Sequence, residues 1–292
     1  MGKGSTLVLH WKMRTNKKQD QFPPGLAYVM LSRCESEEDV YILGDFDPDQ
    51  IIADPEAKME TERLHEIVLR REALVDNLFE SSSMVLGSLN VSSLRKHFED
   101  VLTDPFIMSC DVFGLCETWL HEGEEVEFPD FNGIFVSYAG DLAKGKGIAV
   151  FTKGPVDFEI LKADDASASG VCIKLPKMNL IFLYLSQNFD WNLVREFFDK
   201  VISPDKPTTI MGDVNWHYHE NHPMKEYLLM RDFAQRIRRA THMEGRIIDH
   251  LYTSSHYKDV EFPVEQQSTP YTDHDMLTAF VPLKNSNKSS LG

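Results

Sequence analysis

From residue 84 onward the chain alternates between short apolar runs and amphipathic stretches. Phe113 to Cys116, Gly147 to Phe151, Leu180 to Leu185 and Thr208 to Met211 are apolar runs of strand length, bounded by polar residues as buried strands are. Ser92 to Leu102, Trp191 to Ile202 and Met224 to Ala240 read as helices, and Gly145, Gly147, Gly154-Pro155 and Pro204 mark turns. Strands separated by helices of this kind predict a layered α/β domain. Ahead of it, Asp54 to Glu80 carries Leu64, Ile67, Val68 and Leu74 at helical spacing, with Pro55 in the first turn. Ser81-Ser82-Ser83 interrupts that helix. The pattern divides the chain into a segment over 1–80, a domain over 84–284 and a polar, flexible tail over 285–292.

Charge narrows the range of partners. Thirty Lys and Arg against 46 Asp and Glu give a net charge of -16 over 292 residues, which excludes a protein that coats nucleic acid by bulk attraction. Nucleic-acid contact has to be local or bridged by metal. The basic residues that do cluster are Arg231, Arg236, Arg238, Arg239 and Arg246, a local patch of the kind that phosphate contact requires; a solvated helix face accounts for them equally well. Cys34, Cys110, Cys116 and Cys172 contain no CxxC pair, so neither a zinc site nor a disulfide framework is indicated and an intracellular location is expected. The apolar run Leu180 to Leu185 falls far short of the roughly 20 residues of a membrane span.

The chemistry gathers where apolar runs stop. Leu89-Asn90, Cys116-Glu117, Gly212-Asp213-Val214-Asn215, Ile248-Asp249 and Thr272-Asp273-His274 each place a carboxylate, amide or imidazole at a strand end, the way α/β sheets present a site along one rim. One strand-terminal acid is ordinarily a cap or a turn former; five such ends in order are a site. The oxygen donors Glu117, Asn90 and Asp273 suit magnesium or manganese better than zinc. Metal-assisted phosphodiester hydrolysis also needs an oriented water and a donor for the developing charge, roles that Asp213, Asn215 and His274 can fill.

Read together, Asn90, Glu117-Thr118-Trp119, Tyr184 with Asn188, Gly212-Asp213-Val214-Asn215, Asp249 and Thr272-Asp273-His274 resemble, in order, the motifs of the endonuclease/exonuclease/phosphatase superfamily. That resemblance implies a four-layer α/β sandwich of the deoxyribonuclease I-like type, two packed sheets flanked by helices. It implies a metal at Glu117 with Asn90 and Asp273 nearby, catalytic roles for Tyr184, Asp213, Asn215, Asp249 and His274, and substrate phosphate at Asn188. The departures are Thr272 for serine, Val214 for phenylalanine and Cys116 for glutamine. Thr241-His242-Met243-Glu244-Gly245-Arg246-Ile247-Ile248-Asp249 resembles the text of retroelement endonucleases, relatives of apurinic/apyrimidinic endonucleases. This favours DNA as partner and a nuclear location, with Arg236, Arg238 and Arg239 on its phosphates. A phosphomonoesterase, a lipid phosphodiesterase or an inactive remnant are the other readings of the same motifs.

Gly25 to Arg33 resembles a motif near the end of superfamily-one DNA helicases, of the Helitron type, in which the arginine matching Arg33 reaches a nucleotide phosphate. That implies a small incomplete helicase-derived segment, with the rest of the helicase polypeptide as a partner. No phosphate loop accompanies it: Lys144-Gly145-Lys146-Gly147 reads as a turn entering a strand. His217, His219 and His222 read as loop residues rather than zinc ligands, and Trp119 and Trp191 as buried aromatics.

Overall fold

The computed structural model describes residues 7–10, 40–43, 58, 59, 62 and 83–283. Arg33, the helicase-like text and the tail over 285–292 lie outside them, as does the helix expected over Asp54 to Glu80 apart from helical Lys58, Met59 and Glu62. The chain divides into two units, Met1–Asn77 and Leu78–Gly292. In the first, β1 (Leu7–His10) pairs in parallel with β2 (Val40–Leu43).

The second unit runs β3 (Ser83–Asn90), α1 (Leu94–Thr103), α2 (Pro105–Met108), β4 (Val112–Cys116), β5 (Asn132–Val136), β6 (Ile148–Thr152), β7 (Asp157–Lys162), β8 (Ala168–Lys174), β9 (Asn179–Leu185), α3 (Trp191–Val201), β10 (Thr208–Asp213), α4 (Pro223–Leu229), β11 (Ala234–Gln235), β12 (Asp249–Thr253), β13 (Val264–Ser268) and β14 (Asp275–Pro282). Two six-stranded mixed sheets result, ordered β13-β14-β3-β4-β6-β5 and β11-β12-β10-β9-β8-β7. Each has one parallel pair at its centre, β3 with β4 and β9 with β10, and is otherwise antiparallel.

Period-two alternation sorts the strands' side chains into two sets. Leu86, Val112, Val150, Phe182, Met211, Leu251 and Leu277 face the space between the sheets and fill it. The opposite parity packs outward: Leu89, Phe113 and Phe151 go with Leu94 and Val101 of α1, while Ile181, Ile210 and Tyr252 go with Val194 and Phe198 of α3 and Leu228 of α4. The layers are therefore helix, sheet, sheet, helix. On α3, Val194, Phe197, Phe198 and Val201 form the buried stripe, and Asp190 caps its start by accepting from Asn192 N at 2.9 Å, a contribution of about 1 kcal/mol.

Close approach fixes two glycines. A Cβ on Gly114 would sit 2.4 Å from Phe182 Cδ1 across the sheets, and one on Gly212, at φ 142°, would lie 1.9 Å from Leu183 O. Only glycine lets β9 and β10 pair this tightly.

One expected element differs. The helix read over Met224 to Ala240 stops at Leu229, and the chain turns through Asp232 at φ 60° into β11. Phe233, Gln235 and Ile237 are buried while Ala234 and Arg238 are exposed, so the residues beyond the turn follow a strand's period rather than a helix's.

Candidate active site

Because β3, β4, β9 and β10 run in one direction within their sheets and β12 and β14 run against them, the ends of the first four and the starts of the last two meet at a common rim of each sheet. The register is explicit: Asp213 pairs with Asp249, Tyr184 with Asp213, and Asn90 with Cys116. Parity then decides the direction. Asn90, Cys116, Tyr184, Asp213 and Asp249 share phase with the apolar residues between the sheets, so each strand's inner face ends in a polar group.

Asp213 is the hub. It is fully buried, and its Oδ2 accepts from Asn90 Nδ2 at 2.9 Å, a bond that crosses from one sheet to the other. Asn215 adds two more donors, its backbone N to Oδ1 at 2.9 Å and its Nδ2 to Oδ2 at 3.1 Å. That amide is held in turn by Leu185 O at 3.0 Å. Asn90 Oδ1 accepts from Ser92 N at 3.0 Å, so both ends of the Asn90 amide are fixed. Burial, and then the adjacent Asp249 charge, push the Asp213 carboxyl well above the ordinary carboxylate range.

Asp249 accepts from His274 Nδ1 at 2.9 Å, both side chains being almost wholly buried. Thr241 Oγ1 accepts from the backbone N of Ile248 and of Asp249 and so pins the start of β12. Burial opposes a charge on His274 but is outweighed by Asp249, with Asp213 and Asp273 adding to it, and the imidazole is held up at about 9. Among the described residues, Asp213, Asp249 and His274 bring one polar atom each within 4.8 Å of one another, as do His242, Asp273 and His274.

Glu117 is half-buried just beyond β4 with φ 51°, and Trp119 Nε1 donates to its Oε2 at 3.5 Å. Trp119 at φ 56° and Asn215 at φ 58° share this left-handed backbone, which costs a non-glycine residue about 1 kcal/mol or more and clusters at functional sites. Tyr184 OH donates to Gly145 O at 2.8 Å, and Lys146 Nζ lies 5.6 Å from the Tyr184 ring centre. The turn over Lys144 to Gly147 thus docks on the rim, with Trp119 N donating to Lys146 O at 3.0 Å. Burial, followed by the Glu117 charge, raises the Tyr184 hydroxyl. Cys116 is buried between the sheets, donating to Leu183 O, and its thiol is raised by burial and then by Asp213. Asn188 is exposed in the turn after β9.

The basic cluster is partly spent inside the fold. Arg236 donates to Thr253 Oγ1 at 2.8 Å and to Tyr257 O at 3.1 Å, and Arg231 pairs with Asp199 and stacks 3.5 Å over Tyr227. Arg246 reaches Glu220 at 3.7 Å. Arg238 and Arg239 are exposed on the segment that follows β11 toward Asp249. The histidine loop is structural: His222 stacks on Trp216 and caps α4 by accepting from Met224 N, while His217 Nδ1 accepts from Ile247 N. Composition and spacing gave no role to His242 or Gly145, whose partners Asp273 and Tyr184 lie 31 and 39 residues away.

No family model matches the chain, and no curated protein matches it in sequence. Solved structures do. An AP endonuclease from Archaeoglobus fulgidus is 15% identical, with a TM-score of 0.53 over 68% of this chain and 99% of that one. The catalytic domain of APE2 from Xenopus laevis is 14% identical, with a TM-score of 0.54 over 68% of this chain and 92% of that one. This chain has the deoxyribonuclease I-like fold. A third match is the 3' phosphatase NExo from Neisseria bound to a product DNA hairpin, 15% identical with a TM-score of 0.52 over 68% of this chain and 99% of that one. The four-layer architecture expected from the motif order is thereby the observed one.

A pH dependence follows from the Asp249–His274 pair. A histidine whose folded value of about 9 exceeds its unfolded value of about 6.5 adds stability that is complete below pH 6.5 and disappears as pH rises through 9. Asp213, also raised on folding, works in the same direction. In chelator, the melting temperature should fall between pH 6.5 and 9, and His274→Gln should shrink that fall by about 2–3 kcal/mol of stability. Equal pH profiles for the two proteins would remove His274 as its source.

Proposed function

We propose that the chain is a divalent-metal-dependent phosphodiester hydrolase that nicks DNA. The observation that carries this reading is the pairing, at one rim of a deoxyribonuclease I-like fold, of the Asn90–Asp213–Asn215 network with the Asp249–His274 pair. Glu117, Asn90 and Asp273 offer oxygen donors at this rim, a donor chemistry that suits magnesium or manganese. Bound there, the ion supplies a Lewis acid for a phosphate oxygen.

The chain's own groups divide the remaining work. Asp213, whose carboxyl is raised toward neutrality, orients the attacking water and takes its proton, for which a base poised near the working pH is best suited. Asn215, expected to donate toward the developing charge, has both Nδ2 protons spent on Leu185 O and Asp213 Oδ2, so its part is to hold the Asp213 carboxylate in place. His274, kept cationic by Asp249, presents Nε2 to the charge that develops on the phosphate. Tyr184, anchored on Gly145, holds the turn over Lys144 to Gly147 at the rim, and Asn188, exposed in the turn after β9, would contact a flanking phosphate.

Arg238 and Arg239 are the phosphate track in this reading. Replacing both by Gln should weaken DNA binding and flatten its log-salt slope by about 2, roughly 0.9 per lost contact. Hydrolysis of a small chromogenic phosphodiester, too short to reach them, should hardly change. An unaltered salt slope would mark the pair as solvated surface. The resemblance of Gly25 to Arg33 to a helicase motif supports an origin in a Helitron-like element, with a nuclear site of action.

The deciding experiment is a supercoiled-plasmid nicking assay with magnesium, manganese or chelator. Metal-dependent conversion to open circles is expected, and it should vanish in Glu117→Ala. Removal of a 3' phosphate without nicking would favour the monoesterase reading, to which the likeness to a 3' phosphatase lends weight. No turnover on either substrate would leave an inactive remnant.

A further inference from the structure

His242 belongs to no catalytic role described so far, yet its turn is stitched onto the site. Its backbone forms an antiparallel bridge with His274, Met243 N donates to Asp273 O at 3.0 Å and Asp275 N donates to Thr241 O at 2.8 Å. The ring packs edge-on to that of His274, with centres 4.8 Å apart. Its two nitrogens have different partners. Nδ1 lies 3.2 Å from Glu244 N, and a backbone N–H can only donate, so Nδ1 accepts. The proton of the neutral ring is therefore on Nε2, which donates to Asp273 Oδ2 at 3.1 Å.

This assignment excludes His242 as a metal ligand, although His242, Asp273 and His274 lie close enough together to form a three-ligand set. A nitrogen that carries a proton has no lone pair to give. What the ring does instead is occupy one oxygen of a carboxylate that is otherwise half exposed. Asp273 Oδ1 is left 3.4 Å from Thr272 Oγ1 and 4.0 Å from His274 Nε2.

We propose that His242 is a positioning residue: it locks Asp273 in a single rotamer so that Oδ1 is the oxygen offered to the divalent cation. The inference rests on the proposed function in taking Asp273 as a ligand. Outer partners of this kind, which orient a ligand without touching the ion, are commonly worth 10- to 100-fold in metal affinity.

Binding of Mn²⁺ to the full chain, followed by the loss of the free-ion electron paramagnetic resonance signal, tests this without reliance on turnover. His242→Ala should weaken Mn²⁺ about tenfold. His242→Gln, whose amide N–H can reach the same carboxylate oxygen, should restore affinity to within about threefold. His242→Asn can still accept from Glu244 N and hold the turn but is too short to reach Asp273, so it should bind as weakly as the alanine variant while melting like wild type. In an Asp273→Ala background, His242→Ala should have no further effect.

Wild-type Mn²⁺ affinity in His242→Asn, alongside weakened affinity in Asp273→Ala, overturns the positioning role while sparing Asp273 as a ligand. Wild-type affinity in Asp273→Ala itself overturns the ligand assignment and the inference together. Two ions bound per wild-type chain, with one lost in His242→Gln, would make His242 a ligand and refute the tautomer assignment.

Discussion

Asp213→Asn is expected to lose a hundredfold or more in turnover at saturating metal while the chain stays folded. The substitution keeps the shape that Asn90 and Asn215 enclose but removes the proton acceptor, and base catalysis is typically worth 10²–10⁴-fold. It also breaks a donor pattern: Oδ2 receives both Asn90 Nδ2 and Asn215 Nδ2, and an amide nitrogen at that position can accept neither. Asn90 and Asn215 would lose the acceptor that fixes them, so the loss should exceed that of the base alone. Single-turnover rates over a pH series would separate the two effects. A variant within fivefold of wild type would mean that Asp213 serves only to tie the sheets together.

Glu117→Ala should abolish nearly all turnover and raise the metal concentration needed for what remains. Glu117 is held at φ 51° immediately after β4, a backbone position that a substituted alanine can keep, so the fold should survive. Loss of one carboxylate ligand from a hard-ion site removes several kcal/mol of transition-state stabilisation. Titration of nicking against Mg²⁺ and Mn²⁺ measures both effects. If the variant matches wild type in rate and in metal dependence, Glu117 is not a ligand and the ion is held elsewhere.

The rim of the site was legible where β3 and β10 announce their ends, with apolar runs that stop on Asn90 and Asp213; Asp249 instead opens β12, and Asp273-His274 precedes β14, so the ends read there are strand starts. What the linear text withheld was pairing over distance. Asn90 and Asp213 are 123 residues apart, and nothing in either neighbourhood shows that one amide joins two sheets. Arg236 read as surface because its neighbours are basic, yet its partners Thr253 and Tyr257 lie on the far side of a turn. The over-long helix has a related cause. Residues 233–238 contain enough apolar positions to satisfy either period, and only the pairing of β11 with β12 decides for a strand.

The bond from Asn90 to Asp213 has a consequence for when the chain becomes competent. One partner ends a strand of the first sheet and the other a strand of the second, while His274 precedes β14, which returns to the first sheet beside β3. Synthesis therefore delivers Asn90 early, Asp213 and Asp249 later, and His274 last. A nascent or half-docked chain holds the constellation in pieces, with its acid and its imidazole on surfaces that have not yet met. For a protein proposed to cut DNA this is a safety interlock: the cutting edge assembles only as folding finishes.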